Sequence, residues 1–213
     1  MKERMTTMGI ITISREFGSG GRELGKRLAD ELGYAYYDKE IVTAIVEKHQ
    51  LDENYVTYAL EGGMFRNFPV HFGRTFSYSP ALMANDTHLF AEQNKILREF
   101  AAAGNCVVVG RASDVILREF NPFNLFVYAE MSAKIRRCQE RAGEDEQLSA
   151  KEMARRIKRI DTDRKRYHGL ISEIPWGDKR GYHLCVNTTD REIAALVPSV
   201  AQYIKIWFEE QGK

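Results

Sequence analysis

The sequence predicts an α/β fold in which a five-stranded parallel sheet lies between two layers of helices. First, five short apolar segments alternate with segments of helical periodicity along the 213 residues. Second, the segment Cys106–Val109 is apolar throughout, as expected of a central strand that is buried on both faces. Third, a glycine-rich turn joins the first strand to the first helix. Together these features predict a single domain, 1–213, of three layers.

The first unit is a strand, a glycine loop and a helix within residues 9–33. Residues 10–13 are apolar or β-branched and predict a buried strand. Residues 14–21 form the loop. The helix is indicated by three leucines four residues apart, and Gly33 stands where a C-terminal helix cap belongs. These leucines are Leu24, Leu28 and Leu32.

The other elements follow in alternation. We expect strands at 34–37, 106–109, 125–128 and 184–186, and helices at 38–49, 88–103 and 191–208. Segment 60–86 has no period and many aromatic residues. We interpret it as part of an acceptor-binding insertion, about 38–88, whose aromatic side chains pack locally or against a partner subunit in a homodimer.

The glycine loop indicates phosphate binding. Glycines allow the backbone to approach an anion, and the N-terminus of the following helix adds partial positive charge. The loop is close to the Walker A pattern G-x-x-x-x-G-K-[ST], but Gly21 stands at the lysine position and Arg15 at the first glycine. Arg22 is therefore the predicted substitute charge. The predicted phosphate-binding residues are Gly18, Ser19, Gly20, Gly21, Arg22 and Glu23.

Two other interpretations of the loop remain open. Gly18 and Gly20 begin the dinucleotide pattern G-x-G-x-x-G, and Asp38 lies at the distance of a ribose-binding acid. This pattern would make the protein an NAD-linked oxidoreductase, but its third glycine falls on Glu23. The other interpretation is a tight turn between strand and helix that binds no ligand.

Two charged residues follow predicted strands, where open α/β sheets place their ligand groups. Asp38 ends the second strand and is expected to cap the next helix, to face a ligand, or both. Arg111 ends the third strand, next to the glycine loop if the sheet is doubly wound.

Segment 131–170 is rich in arginine, and we interpret it as a basic helical lid. Arginine binds phosphate through a planar fork, and phosphoryl transfer needs positive groups on a closing element that excludes water. A solvated helix surface or an RNA-binding patch would use the same residues. The segment lacks the interleaved aromatic residues expected of an RNA-binding surface.

The composition restricts the class of protein. Thirty-one basic and thirty acidic residues nearly cancel, so bulk charge does not indicate nucleic acid or an anionic membrane as a partner. Three scattered cysteines indicate a reducing compartment, and no spacing of a metal site is present. The N-terminus has no signal peptide, and no run reaches transmembrane length. These features predict a cytoplasmic protein.

Several motifs spread over nearly the whole chain resemble those of the cytidylate kinase-like family, a branch of the P-loop nucleoside monophosphate kinases. They are I-T-I-S-R-E-F-G-S-G-G-R-E at 11–23, Y-Y-D-K-E-I at 36–41, V-V-V-G-R-A-S-D-V-I-L at 107–117, D-x-x-R at 161–164, W-G-D at 176–178 and Y-H-L-C-V-N-T-T at 182–189.

The resemblance implies a kinase that moves the γ-phosphoryl group of ATP, with Mg²⁺, to a nucleoside monophosphate such as CMP or dCMP. It implies that the glycine loop holds the donor phosphates and that Asp38 and Arg111 line the acceptor site. Catalytic roles fall on Arg22, Arg111, Arg137 and Arg164. The acceptor-site residues are Asp38, Arg111, Asp114, Arg141, Arg159 and Asp161.

The sequence departs from the family pattern in two ways that affect the activity. Gly21 replaces the loop lysine, and Ala112 replaces the aspartate that helps to read cytosine, although Asp114 is near. The alternatives to a cytidylate kinase are therefore a kinase for another small acceptor and a nucleotide sensor that performs no chemistry.

Overall fold

Five parallel strands form one sheet in the order β2–β3–β1–β4–β5. The computed structural model describes residues 9–38, 40–49, 80–143 and 148–211. The strands are β1 (Ile10–Arg15), β2 (Ala35–Tyr37), β3 (Cys106–Val109), β4 (Phe123–Tyr128) and β5 (Leu184–Asn187). β1 lies at the centre, where Ile11 is in register with Val107 of β3 and with Phe123 of β4. The predicted five-stranded parallel sheet is thus confirmed.

Helices cover both faces of this sheet. They are α1 (Gly21–Leu32), α2 (Glu40–His49), α3 (Pro80–Ala102), α4 (Ser113–Ile116), α5 (Met131–Arg141), α6 (Ala150–Gly169) and α7 (Ile193–Gln211), with 3₁₀ turns at Arg118–Phe120 and Lys179–Gly181. None of the helices in these described ranges combines the length and apolar character needed to cross a membrane.

Two hydrophobic cores fill the space between the three layers. On one face, α1 and α7 pack against Ile11, Ile13 and the neighbouring strands. On the other face, α2, α3 and α4 pack against Ile10 and Val108. Alternate residues of β1 therefore enter different cores, because successive side chains of a strand point to opposite faces. The prediction of helices on both faces is confirmed.

Several elements begin at residues other than the predicted ones. α3 begins at Pro80 rather than 88, because proline fits the first turn of a helix, where no N–H partner is needed. β4 begins two residues early, at Phe123, which pairs with Ile11 and is fully buried. The Gly33 helix cap is as predicted, with φ of 68°. Most of the predicted aromatic insertion, 50–79, lies outside the described residues.

Candidate active site

A cavity of about 680 Å³ lies beside the glycine loop, next to the carboxyl ends of β1 and β3. Its described lining contains eight arginines and only two acidic residues, an excess of six positive charges. We call it the arginine cavity. Its arginines are Arg15, Arg22, Arg111, Arg137, Arg141, Arg156, Arg159 and Arg164, and its acidic residues are Glu16 and Asp163. Such a lining suits a ligand with several negative charges.

The glycine loop presents backbone N–H groups at the edge of this cavity. Gly18 and Gly20 have φ of 77° and 81°, the left-handed conformation that glycine adopts without strain. Gly20 caps α1 without a side-chain hydrogen bond, and the first helical bond runs from Leu24 N to Gly20 O (2.9 Å). The N–H groups of Gly21, Arg22 and Glu23 therefore have no acceptor within the helix, which makes this terminus an anion site.

The absence of a lysine at position 21 has a steric cause. A Cβ atom on Gly21 would lie 2.6 Å from Cβ of Arg15 and 3.0 Å from its Cγ. The side chain of Arg15 therefore covers Gly21. The two departures from the Walker A pattern, arginine at 15 and glycine at 21, depend on each other.

Arg15 itself lies between the ends of β1 and β3. Its Nη1 would be 1.6 Å from a Cβ atom on Gly110, and its Nη2 lies 3.7 Å from Oδ1 of Asp38. Burial, together with nearby Arg164, lowers the pKa of Arg15 to about 9, although Asp38 opposes the shift. The sequence analysis did not assign Arg15 to the site; the available signal was an arginine at the first glycine of the Walker A pattern.

Arg22, the predicted substitute charge, is bound to Asp38. Its Nε lies 2.5 Å from Oδ2 of Asp38, and its side chain is 57% exposed. Arg22 and Arg141 stand at the border of a second cavity of about 550 Å³, which is also lined by Asp38 and Glu23. The carboxylates of Asp38 and Glu23 are therefore outside the arginine cavity, and Arg141 binds Glu23.

The side chain of Ser19 is buried and does not line either cavity, so only the backbone of this residue could contact a phosphate. The Ser19 hydroxyl donates to Glu16 O (2.8 Å) and closes the loop on itself. Ser19 O accepts a hydrogen bond from the hydroxyl of Thr188 (2.6 Å). Arg137, predicted to be catalytic, lines the cavity but donates to Gly18 O (2.8 Å) and Thr188 O (3.1 Å), so that it also supports the loop.

Asp161 is a correction, because it lies outside both cavities. Its Oδ1 accepts a hydrogen bond from Phe17 N (2.7 Å), and its Oδ2 lies 3.4 Å from Nζ of Lys134. Lys134 also binds Glu16 (3.0 Å). Burial raises the pKa of Asp161, opposed by the hydrogen bond from Phe17. Asp161 thus attaches α6 to the glycine loop.

Asp114 is a second correction. It is buried in the first turn of α4, with its Oδ2 2.7 Å from Nε2 of His168 and its Oδ1 3.5 Å from the hydroxyl of Ser14. It lines neither cavity. A carboxylate engaged in this way connects α6 to the sheet.

Arg111 reaches the arginine cavity through an unusual backbone. Gly110, Arg111 and Ala112 have φ of 77°, 60° and 49°, so three successive residues are left-handed after β3. This conformation is costly for residues other than glycine and clusters at functional sites. The predicted position of Arg111 at the end of β3, beside the glycine loop, agrees with the geometry.

The helices α5 and α6 supply the other arginines of the cavity. Arg159 and Arg164 line it as the sequence analysis expects, and Arg164 donates to Arg15 O (3.0 Å). Arg156 also lines it and was missed. The signal was its spacing, since Arg156 precedes Arg159 by three residues and must share its helix face.

The described residues do not supply a complete set of protein ligands for a metal ion. They contain no group of three or more His, Cys, Asp or Glu side chains that could hold a metal ion. The Ser19 hydroxyl is already used within the loop, and Arg22 stands where the Walker A pattern has its Mg²⁺-binding hydroxyl.

The comparisons with known proteins agree with this geometry. The model of the cytidylate kinase-like family matches residues 10–190. A structure from Eubacterium ventriosum, described as an uncharacterized protein, is 25% identical, with a TM-score of 0.67 over 92% of this chain and 98% of that chain. No curated protein matches the sequence.

Two kinases of known structure share the fold. Shikimate kinase from Bacteroides thetaiotaomicron is 15% identical, with a TM-score of 0.55 over 95% of this chain and 99% of its own. A gluconokinase from Sinorhizobium meliloti is 17% identical, with a TM-score of 0.53 over 96% of each chain. At these identities the likeness concerns the fold alone, which is that of the P-loop kinases.

Proposed function

The chain belongs to the cytidylate kinase-like family, and we propose that it transfers the γ-phosphoryl group of ATP to a nucleoside monophosphate. The observation that carries the proposal is the arginine cavity beside the glycine loop. CMP and dCMP are the first acceptors to test, because the family model bears the name of that activity.

The charge of the cavity favours an acceptor that is itself anionic. Its described lining has six more positive than negative side chains. ATP in its magnesium complex carries about two negative charges, and a phosphate monoester adds about two more at neutral pH. Two of the arginines already have carboxylate partners outside the lining, Arg22 with Asp38 and Arg141 with Glu23. A monophosphate would add negative charge next to the others, which an uncharged alcohol would not. We therefore place a monophosphate, rather than an uncharged alcohol, beside the donor.

In the proposed reaction, catalysis comes from positioning and electrostatic stabilisation. An anionic oxygen of the acceptor phosphate forms a bond to the γ-phosphorus. The bond from this phosphorus to the β,γ-bridging oxygen breaks, and its electron pair leaves with ADP. Because the attacking oxygen is already ionised, no general base is required.

Each part of the site has a role in this scheme. The N–H groups from Gly18 to Glu23 would hold the donor phosphates, and Arg111, Arg141 and Arg159 would bind the acceptor. Asp38 would orient the acceptor from the second cavity. Arg137 and Arg164 would stabilise the charge of the transferred group. The α5–α6 hairpin would act as the lid. ATP would enter as its Mg²⁺ complex, so that the metal comes with the substrate.

One observation favours a second candidate, a nucleotide sensor without catalysis. The loop has no lysine at the Walker A position. Such a protein would bind ATP and transfer nothing.

The deciding experiment is ³¹P NMR of the protein with Mg-ATP and each acceptor in turn: CMP, dCMP, UMP, AMP, GMP and small alcohols. We expect a nucleoside diphosphate product with one monophosphate, CMP or dCMP first. Transfer only to an alcohol would replace the proposed acceptor class. ATP binding with no transfer would select the sensor.

A matched pair of variants on α6 tests whether the cavity is the site. Arg159 lines the cavity, whereas exposed Arg155 does not. We expect Arg159→Gln to lower kcat/KM about 10- to 100-fold, the effect of one charge-assisted hydrogen bond. Arg155→Gln should leave it within about two-fold. Equal effects of the two substitutions would mean that the cavity is not the active site.

A further inference from the structure

We infer that Arg15 replaces the missing loop lysine and binds the donor phosphate that is transferred. This inference rests on the proposed function, because it assigns a contact to the donor phosphates in the same site. It differs from the sequence-based prediction, which gave this role to Arg22.

The packing of the Arg15 side chain supports this role. The Arg15 side chain fills the space over two glycines, Gly21 on α1 and Gly110 after β3, where a Cβ atom would lie 2.6 Å and 1.6 Å from its atoms. Gly21 does not have positive φ, so its backbone does not require glycine. Space for Arg15 is therefore the physical reason for glycine at the lysine position. The guanidinium is held in a slot at the edge of the arginine cavity.

The charged groups around Arg15 also support this role. The side chain of Arg15 is only 15% exposed, and its nearest acidic partner, Asp38, is 3.7 Å away. Asp38 is closer to Arg22, at 2.5 Å, so that its charge is shared. Arg164 and Arg111 add further positive charge around Arg15 and help to lower its pKa. A phosphoryl group in the cavity would add negative charge beside the Arg15 guanidinium.

Arg22, the other candidate for this role, differs from Arg15 in its exposure and in its ion pair. Arg22 is 57% exposed, lies at the border between the two cavities and is bound closely to Asp38. The Asp38 carboxylate, 2.5 Å away, already neutralises the Arg22 guanidinium and competes with a phosphate for it. Arg15 is buried, rigidly packed and adjacent to the loop, which are the properties that preorganise a charge for catalysis.

The test is a set of variants that exchanges the arginine of this loop for the lysine of the Walker A pattern. Arg15→Gln removes the charge, and Arg15→Lys retains it. Arg15→Gly with Gly21→Lys restores the Walker A pattern G-x-x-x-x-G-K. Affinity for the ATP analogue AMPPNP, measured by calorimetry with Mg²⁺ and no acceptor, is the first readout. The ³¹P shifts of the bound analogue are the second, and phosphoryl transfer is the third.

We expect Arg15→Gln to weaken AMPPNP binding about 10- to 100-fold and to shift the γ-phosphate resonance. Arg15→Lys should bind within about five-fold of the wild type. Gly21→Lys alone should lower the Tm, because it collides with Arg15, and the double variant should recover both Tm and binding. Arg22→Gln, the other candidate, should weaken binding less than Arg15→Gln does. The control is Arg155→Gln, at an exposed position of α6 outside both cavities, which should bind within about two-fold.

The inference is overturned if folded Arg15→Gln binds AMPPNP as the wild type does, or if Arg22→Gln causes the larger loss. If Arg15→Gln does not fold, the folded double variant decides: binding supports the inference and loss of binding contradicts it. Binding that follows this pattern without transfer to any monophosphate supports Arg15 while refuting the proposed reaction. A wild-type protein that binds no AMPPNP contradicts both.

Discussion

At the scale of the residue, polar side chains bind the backbone of the glycine loop and hold it in place. Thr188 and Arg137 bind the carbonyl oxygens of Ser19 and Gly18. These bonds give two carbonyl oxygens of the loop a donor within the protein. Because the bonds exist in the free protein, little reorganisation is needed when phosphate binds.

Thr188→Val tests the support of the loop. Thr188 is fully buried, and its hydroxyl donates to Ser19 O (2.6 Å) and lies 3.2 Å from Tyr128 O. Valine keeps the shape but leaves Ser19 O without this donor. We expect the free energy of unfolding to fall by about 1–3 kcal/mol in urea titration.

The control for Thr188→Val is the same substitution at Thr162. This residue is exposed on α6, and its hydroxyl donates to Lys158 O (2.7 Å) within the helix. Its replacement should change the free energy of unfolding by less than about 0.5 kcal/mol. A loss at Thr162 as large as that at Thr188 would show that the effect comes from threonine replacement itself.

At the scale of the element, the α5–α6 hairpin is attached to the glycine loop by a cluster of buried charges. Lys134 of α5 binds Glu16 of the loop and Asp161 of α6, and Asp161 also accepts from Phe17 N. A movement of α6 would therefore be transmitted to the loop directly. The proposed lid has a fixed end at this cluster and its cavity-lining arginines nearby.

Lys134→Met tests this attachment. The Lys134 side chain is 6% exposed, and its removal leaves two carboxylates close together without their shared cation. We expect the free energy of unfolding to fall by about 3–5 kcal/mol, measured in urea. Lys151→Met, at an exposed position of α6, is the control and should be nearly neutral.

Partial rescue would identify the cause of the Lys134→Met effect. Adding Glu16→Gln and Asp161→Asn replaces the two carboxylates that form ion pairs with Lys134 by neutral amides. Stability should then rise relative to Lys134→Met alone. No gain would show that the loss reflects packing of the lysine stem rather than charge.

The start of α6 offers a smaller and more local test. Ser149 accepts from Glu152 N (3.3 Å), and Glu152 accepts from Ser149 N (3.0 Å), which completes a capping box. Ser149→Ala should lower the free energy of unfolding by about 1 kcal/mol. Ser199→Ala, at an exposed site within α7, should be neutral or slightly stabilising, since alanine is the better helix former. Equal losses would rule out a capping effect.

At the scale of the whole molecule, the fold was the more predictable part. Apolar runs of strand length and the leucines of α1 set the order of elements, because burial on both faces leaves a continuous apolar pattern. Neighbouring strand ends then brought Arg111 close to the glycine loop. The start of α3 was wrong by eight residues, since its first turns lack a clear amphipathic pattern.

The site was less predictable, because a sequence does not show which charges neutralise one another. Asp114 follows Arg111 along the chain, yet it is bound by His168. Asp161 is shared by Lys134, a backbone N–H and Arg164. The sequence placed Arg15 in the glycine loop, at the first glycine of the Walker A pattern, and gave no role for its side chain. Only the three-dimensional positions of Gly21 and Gly110 show that it occupies the site.

Charge segregation over the whole molecule gives the last prediction. The chain has a formal net charge of +1, while the described lining of the arginine cavity has an excess of six positive charges. A polyanion should therefore bind there and stabilise the native state. Pyrophosphate at about 100 times its Kd should add about 2.7 kcal/mol and raise the Tm by about 5–10 °C. NaCl of matched ionic strength should not. Arg159→Gln should reduce the shift and Arg155→Gln should not; an equal rise with NaCl would mean that general ionic strength, not the cavity, stabilises the protein.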